Sequence, residues 1–283
     1  MRRRPPERLA QQHHQRPGVA PFTERTPRVI AARRLQRRRE RDESRLFLAE
    51  GPQAVREAIA ADAVKELFAT AEAVERHPDL TKDATLVTDG AIAALAETVA
   101  PQGLVAVCHQ PGVRLQDALA KAPRLVAVLA EIRDPGNAGT ILRTADAAGA
   151  KAVVFAGDAV DPYNGKCVRA SAGSVFHTDL VRDADPAATV ESLKASGLTV
   201  LAATGYGDTD LDDLADTGGL ARPTAWLFGS EAHGLPDDLL AAADHRVRVP
   251  LHGRAESLNL AAAAAVCLYA SARALRRPAA GRP

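Results

Sequence analysis

Aromatic residues are scarce, 4% of 283 positions with a single tryptophan, while hydrophobic residues as a whole reach 46%. The core must therefore be aliphatic, built largely from Ala, Val and Leu. Cysteine occurs three times, as Cys108, Cys167 and Cys267, with no pair at metal-ligand spacing. That odd count does not suggest a disulfide framework and points to a reducing compartment. The eight histidines form no metal-ligand pattern either, and no metal is expected. No apolar run reaches membrane-spanning length without interruption, and the N-terminus carries arginines but no apolar stretch of a secretory signal. A cytoplasmic protein with no membrane partner is expected.

Familiar ligand motifs are missing too. Gly205-Tyr206-Gly207 lacks the later glycine of a dinucleotide fingerprint, and Gly165-Lys166 lies too far from Gly157 and is followed by Cys167, which excludes a P-loop. There is no G-x-S-x-G nucleophile elbow. A nucleotide-binding oxidoreductase on an ordinary doubly wound sheet loses its main support.

What is present is unevenly distributed. Residues 1–46 hold 14 arginines against 5 acidic residues, and the remainder holds 22 basic and 30 acidic ones, so the net +1 conceals a basic arm on an acidic body. A basic arm suits a polyanionic partner, although a solvated tail has the same composition. Residues 1–26 mix Pro, Gln and Arg without period and are expected to be a disordered basic tail. TPRVIAARRLQRRRERDES then reads as one basic helix with Pro27 at its first position.

The length allows one large or two ordinary domains. Over 27–110, the strand-like RLFLAEG, VKELFAT, ATLVTD and GLVAVCHQ alternate with helical PQAVREAIAA, AEAVERH and GAIAALAET, a small α/β domain. Residues 111–123, PGVRLQDALAKAP, are expected to form a linker. Over 124–277 a second series follows: strands RLVAVLAEI, AVVFAG, TVLAAT, TAWLFG and HRVRVPL, with helices NAGTILRTADAAGA, AATVESLKASG, LPDDLLAAAD and SLNLAAAAAVCLYASARAL. Short apolar strands separated by helices imply a mostly parallel sheet covered on both faces. In such sheets ligands sit beyond the carboxyl ends of the strands, which singles out three turns.

In EIRDPGNAGTILRTADAAGA a strand runs through a tight Asp134-Pro135-Gly136 turn into a helix that Asn137 is placed to cap, with Arg143 a little further along. In WLFGSEAHGL the strand stops at Gly229, where the missing Cβ lets a backbone or ligand come close, and Ser230 and Glu231 follow. In VPLHGRAESLNLAAAAAVCLY a polar loop leads to Ser257, a candidate N-cap, and to Asn259, then to a helix opening with Leu260 and five alanines. Alanine is the best helix former, but so thin a helix also suggests another backbone passing close by.

In this order the three stretches resemble the three motifs of the SpoU (TrmH) family of RNA ribose methyltransferases, within the SPOUT superfamily. The likeness covers residues 125–275, about half of the chain. RLFLAEGPQAVREAI is more weakly similar to the start of the small substrate-binding domain of rRNA-modifying members. The resemblance implies an α/β catalytic domain whose C-terminal chain forms a deep trefoil knot, S-adenosyl-L-methionine bound in that knot, and a homodimer. It implies Gly229, Val249, Leu251, Leu258 and, at the margin, Thr204 as cofactor-binding residues. Asn137, Arg143, Glu231, Ser257 and Asn259 match the polar, catalytic positions.

The implied reaction is methyl transfer to a ribose 2′-hydroxyl of RNA, with 23S rRNA favoured because a separate N-terminal domain is present. A tRNA ribose methyltransferase and a non-catalytic rRNA-binding assembly factor are the alternatives. Arginine stays protonated in proteins, so two roles remain open for Arg143: a base with a strongly depressed pKa, or a clamp on the target phosphate and on developing alkoxide charge. Arg33, Arg34, Arg37, Arg38 and Arg39 are the candidate RNA-binding residues, through phosphate contacts.

Overall fold

A computed structural model describes residues 20–183 and 185–276. Most of the expected disordered tail lies outside these residues. Its last part, from residue 20, is built into the fold: the Phe22 amide donates to the Leu86 carbonyl (2.9 Å), its carbonyl accepts from Thr88 (2.8 Å), and the Arg28 guanidinium sits 5.3 Å from its ring centroid. The basic segment makes two helices rather than one, α1 (Pro27–Arg34) and α2 (Arg38–Ser44). The break comes at Arg37, whose extended backbone (φ −93°, ψ 133°) separates the two helices.

The N-terminal sheet is formed by β1 (Leu46–Glu50), β2 (Val64–Ala69), β3 (Thr85–Leu86) and β4 (Leu104–His109), interleaved with α3 (Pro52–Ala60), α4 (Ala71–Arg76) and α5 (Asp89–Leu95). Its order is β1-β4-β2-β3, with β4 antiparallel to both neighbours. One face packs on α1 and α5 through Val29, Phe68, Ile92 and Leu95. The other face, with Phe47 and Ala49, runs without a break into the core of the second half.

The expected linker is not a bare connection. Val113 pairs with Val181, and α6 (Leu115–Leu119) buries Leu115 and Leu119 against the second sheet. The apolar positions of RLQDAL were legible, but five residues are too short a run to announce a helix. Then come β5 (Leu125–Ala130), α7 (Pro135–Ala148), β6 (Ala152–Ala156), α8 (Gly165–Ser171), β7 (Asp179–Asp183), α9 (Pro186–Ala195), β8 (Thr199–Ala203), β9 (Thr209–Asp210), α10 (Leu211–Asp216), β10 (Thr224–Phe228), α11 (Asp237–Ala242), β11 (His245–Arg248) and α12 (Leu260–Arg276). The seven strands are all parallel in the order β7-β6-β5-β10-β8-β11-β9. β5, β6 and β10 are buried along their whole length, as the continuous apolar runs require. α6, α9 and α11 cover one face, and α7 and α12 the other.

The path of the last strand is unusual. The chain leaves β8, places β9 at the sheet edge and returns to β10, and β11 then enters between β8 and β9. β11 thus lies inside a loop the chain has already closed, after which α12 comes back under α7. This is the strand order expected of an α/β domain with a C-terminal knot, an exception to the rule that connections do not thread. The crossing leaves no room for side chains: a Cβ on Gly207 would lie 2.5 Å from the Arg246 carbonyl oxygen. This close approach is between Gly207 and β11, not beside the alanine run where one was expected. In α12 itself Ala261 and Ala264 face the core while Ala262 faces solvent.

Candidate functional site

The three turns meet at the carboxyl end of the parallel sheet. At the first, Asp134 rather than Asn137 caps α7: its carboxylate accepts the Asn137 amide at 2.7 Å, and Pro135 occupies the first helical position. The Asn137 amide, with Lys166 beside it at 3.1 Å, holds the Asp134 carboxyl below the usual carboxylate range. With the cap supplied by Asp134, the Asn137 side chain is free to point elsewhere.

At the second turn, Ser230 and Gly234 exchange backbone hydrogen bonds of 3.1 and 2.8 Å and close a tight loop with Glu231 on it. Gly229 is required by that loop: a Cβ there would lie 2.3 Å from the Gly234 carbonyl carbon. At the third, Asn259, not Ser257, caps α12, its side-chain oxygen accepting the amides of Ala261 (2.9 Å) and Ala262 (3.3 Å). Ser257 lies two residues further out, exposed in the loop.

These contacts orient both asparagines. Because the Asn259 oxygen serves the helix, its nitrogen is the donor and reaches the Asn137 oxygen at 3.4 Å. The Asn137 nitrogen in turn donates to the Glu231 carboxylate at 2.7 Å. One polar chain thus joins the three turns, from the start of α12 through α7 to the β10 loop. Each amide nitrogen keeps one further N–H, and the carboxylate keeps free lone pairs.

Arg143 is exposed on α7 and makes no ion pair or side-chain hydrogen bond among the described residues. Six residues beyond Asn137 it stands ~9 Å along the axis and ~120° around the helix, so it faces away from its own chain's cluster.

Beside the cluster is a cleft of about 450 Å³ whose walls include Val249, Leu251, Leu258, Val266, Leu211 and Asp212. Leu251 and Leu258 are 42% and 40% exposed, large apolar side chains that this chain leaves uncovered. Three expected cofactor residues therefore share one wall. Thr204 and Gly229 lie outside that lining: the Thr204 amide donates to Val247 at 2.9 Å and so tethers the end of β8 to β11. Arg33, Arg34, Arg37, Arg38 and Arg39 are all exposed on the α1–α2 segment. Sequence reasoning missed Asp134 and Lys166, although an aspartate just before a proline is a recognisable cap signal.

Fold and site define an α/β enzyme whose polar apparatus and ligand cleft are both assembled at the carboxyl edge of a knotted sheet. The chain belongs to the SpoU rRNA Methylase family, whose model matches residues 124–269, and the MRM3-like substrate binding domain matches residues 26–106. It is 34% identical over 239 residues, 84% of this chain and 92% of the relative, to the 23S rRNA (guanosine(2553)-2′-O)-methyltransferase RlmP of Bacillus subtilis. Its fold matches the AdoMet-bound rRNA methyltransferase of Sinorhizobium meliloti with a TM-score of 0.77 at 31% identity, over 90% of this chain and 98% of that one. It matches AviRb of Streptomyces viridochromogenes, solved in complex with AdoMet, with a TM-score of 0.76 at 29% identity, over 87% and 98% of the two chains.

Proposed function

We propose that this chain methylates a ribose 2′-hydroxyl of 23S rRNA, using S-adenosyl-L-methionine. The observation that carries the reading is the Glu231–Asn137–Asn259 chain set against an apolar cleft. The cleft suits the cofactor: Val249, Leu251 and Leu258 offer apolar surface for an adenine, and the Asp212 carboxylate suits a cationic ligand. When bound there, the cofactor supplies a methyl group activated by a positive sulfur.

The protein's own task is to align the ribose oxygen and to manage its charge, since orientation alone lowers such barriers substantially. The remaining N–H groups of Asn137 and Asn259 hold the ribose or the adjoining phosphate, and Glu231 fixes Asn137 in the donating orientation. Ser257, exposed in the loop before α12, adds a hydroxyl donor to the same group. Arg143 acts as the clamp on phosphate and developing alkoxide, because a charged guanidinium performs that role without a proton transfer. Since Arg143 faces away from its own cluster, a homodimer that brings it to the partner's cluster is the assembly we propose. The exposed Tyr269 of α12, outside the cleft lining, supplies apolar surface for that contact. The exposed arginines of α1 and α2 take RNA phosphates, and the site of action is the cytoplasm. No described helix is long and apolar enough to cross a membrane.

The test is transfer of labelled methyl groups to deproteinised 23S rRNA, followed by mapping of ribose methylation in rRNA from cells with and without the gene. One 23S ribose lost from the methylation map on deletion is the expected result. An unchanged map, or transfer to tRNA alone, overturns the proposal. A single species of twice the chain mass in sedimentation checks the dimer.

A further inference from the structure

A second cleft, of about 570 Å³, opens where α2 crosses the carboxyl ends of β6 and β7, and its walls include Arg38, Arg45, Arg114, Arg182, Asp42 and Tyr163. Four arginines and one acidic residue lie on this lining. Asp42 is shared between Arg182 at 2.8 Å and Arg38 at 3.6 Å. Arg114 holds Asp117 at 2.8 Å outside the lining, and the Arg45 guanidinium has no ion pair among the described residues.

Two features mark this as a prepared surface. Arg45 closes α2 with a φ of +57°, a left-handed conformation that costs an ordinary side chain energy. It is held there by backbone and side-chain bonds around Gln110: the Gln110 amide donates to the Arg45 carbonyl at 3.0 Å, and its Nε2 donates to Arg41 and Leu46 on either side. The second is the Tyr163 hydroxyl. The residue is only 2% exposed, and although the Gly112 amide lies against its hydroxyl oxygen, the O–H finds no acceptor among the described residues, an arrangement that is costly unless something supplies one.

We propose that this cleft between the two sheets seats the phosphodiester backbone of the RNA substrate, with Arg38, Arg45, Arg114 and Arg182 as its phosphate contacts. The proposal rests on the RNA methyltransferase reading. It places RNA there rather than an acidic protein because β5, β6 and β7 run parallel. The cleft therefore opens at the same end of the sheet as Asn137, and a strand seated in it continues toward the reacting ribose. Guanidinium groups match phosphate oxygens in geometry as well as charge.

The test compares the full chain with an Arg38→Ala/Arg45→Ala/Arg114→Ala variant, using deproteinised 23S rRNA as probe in filter binding and in methyl transfer. Loss of three single-strand phosphate contacts is expected to weaken RNA binding about tenfold or more and to make the log–log salt dependence shallower by about 2 between roughly 50 and 200 mM salt. KM for RNA rises while kcat and cofactor affinity hold. Binding and salt slope equal to wild type overturn the cleft, even if transfer itself is intact. Wild-type protein that binds the RNA through the cleft but transfers no methyl overturns the enzymatic reading and leaves the cleft standing. Should the triple variant melt early, Arg114→Ala alone, on an exposed side chain, gives the same comparison with a slope change of about 1.

Discussion

Arg143 and Gly229 act at the residue scale by opposite means. Arg143 makes no ion pair or side-chain hydrogen bond among the described residues, so its removal is expected to cost the fold little, and its value lies in what it meets outside. Arg143→Ala is expected to reduce methyl transfer by at least about a hundredfold, the scale of a lost oxyanion-type contact, while cofactor affinity by calorimetry stays within twofold or so. A variant with near-normal turnover would remove Arg143 from the chemistry. Gly229 has no side chain to offer, and its worth is the space left empty. With its hypothetical Cβ 2.3 Å from the Gly234 carbonyl carbon, Gly229→Ala must push the 230–234 loop aside. A stability loss of about 1–3 kcal/mol is expected from overpacking of this kind, together with weaker activity because Glu231 moves with the loop. Thermal unfolding and turnover measured on the same sample check both.

Among the elements, α12 combines structural and chemical duties in one residue. Asn259 caps the helix through its oxygen and contacts Asn137 through its nitrogen. Asn259→Ala is expected to lower stability by about 1 kcal/mol, the usual worth of a cap, and to lower activity as well. Asn259→Ser keeps a capping oxygen but has no amide, so melting should recover while turnover does not; recovery of both would reduce Asn259 to a cap. The same element marks how far the sequence could be read. Its strand-loop-helix pattern was plain, as were the helix running from Asn137 and its end at Gly149, because apolar periodicity and turn residues are local signals; the first turn, from Pro135, was read as a tight turn. Asp134 and Asn259 capped where Asn137 and Ser257 were expected, since each neighbouring polar residue has the chemistry of a cap and only the helix start decides among them. The contact between Asn137 and Asn259, 122 positions apart, has no local signature at all; only the resemblance of the three motifs pointed to it. Short pieces such as α6 and β9 escaped because five residues or fewer carry too little pattern.

In the whole molecule the N-terminal sheet is fastened to the knotted one by the apolar core they share, and two polar groups bridge the halves beside it. Arg41 and Asp161 form a buried pair at 2.7 Å through Nε, and the Nη1 of Arg41 donates to the carbonyls of Leu35 and Gln36. Arg41 thus belongs to the basic segment by sequence but to the domain interface by structure. Arg41→Met leaves a buried carboxylate uncompensated and is expected to cost about 3–5 kcal/mol in denaturant unfolding; adding Asp161→Leu should return much of it. No recovery in the double variant would mean that Asp161 is held mainly by the Tyr163 amide it also accepts. The second fastening is His177, whose ring bridges Asp146 of α7 at 2.8 Å and Glu57 of α3 at 3.1 Å. Burial acts against its charged form, but the two carboxylates outweigh it and the net shift is upward. A group with a raised folded pKa contributes fully below its unfolded value, near 6.5, and the contribution fades as pH rises through the folded value. The ring is partly exposed, so solvent moderates the effect. The melting temperature of wild type should therefore exceed that of His177→Gln by more at about pH 6 than at about pH 8.5. A difference that stays constant across that range would mean that the bridge works through a neutral ring and that pH leaves the docking of the two sheets untouched.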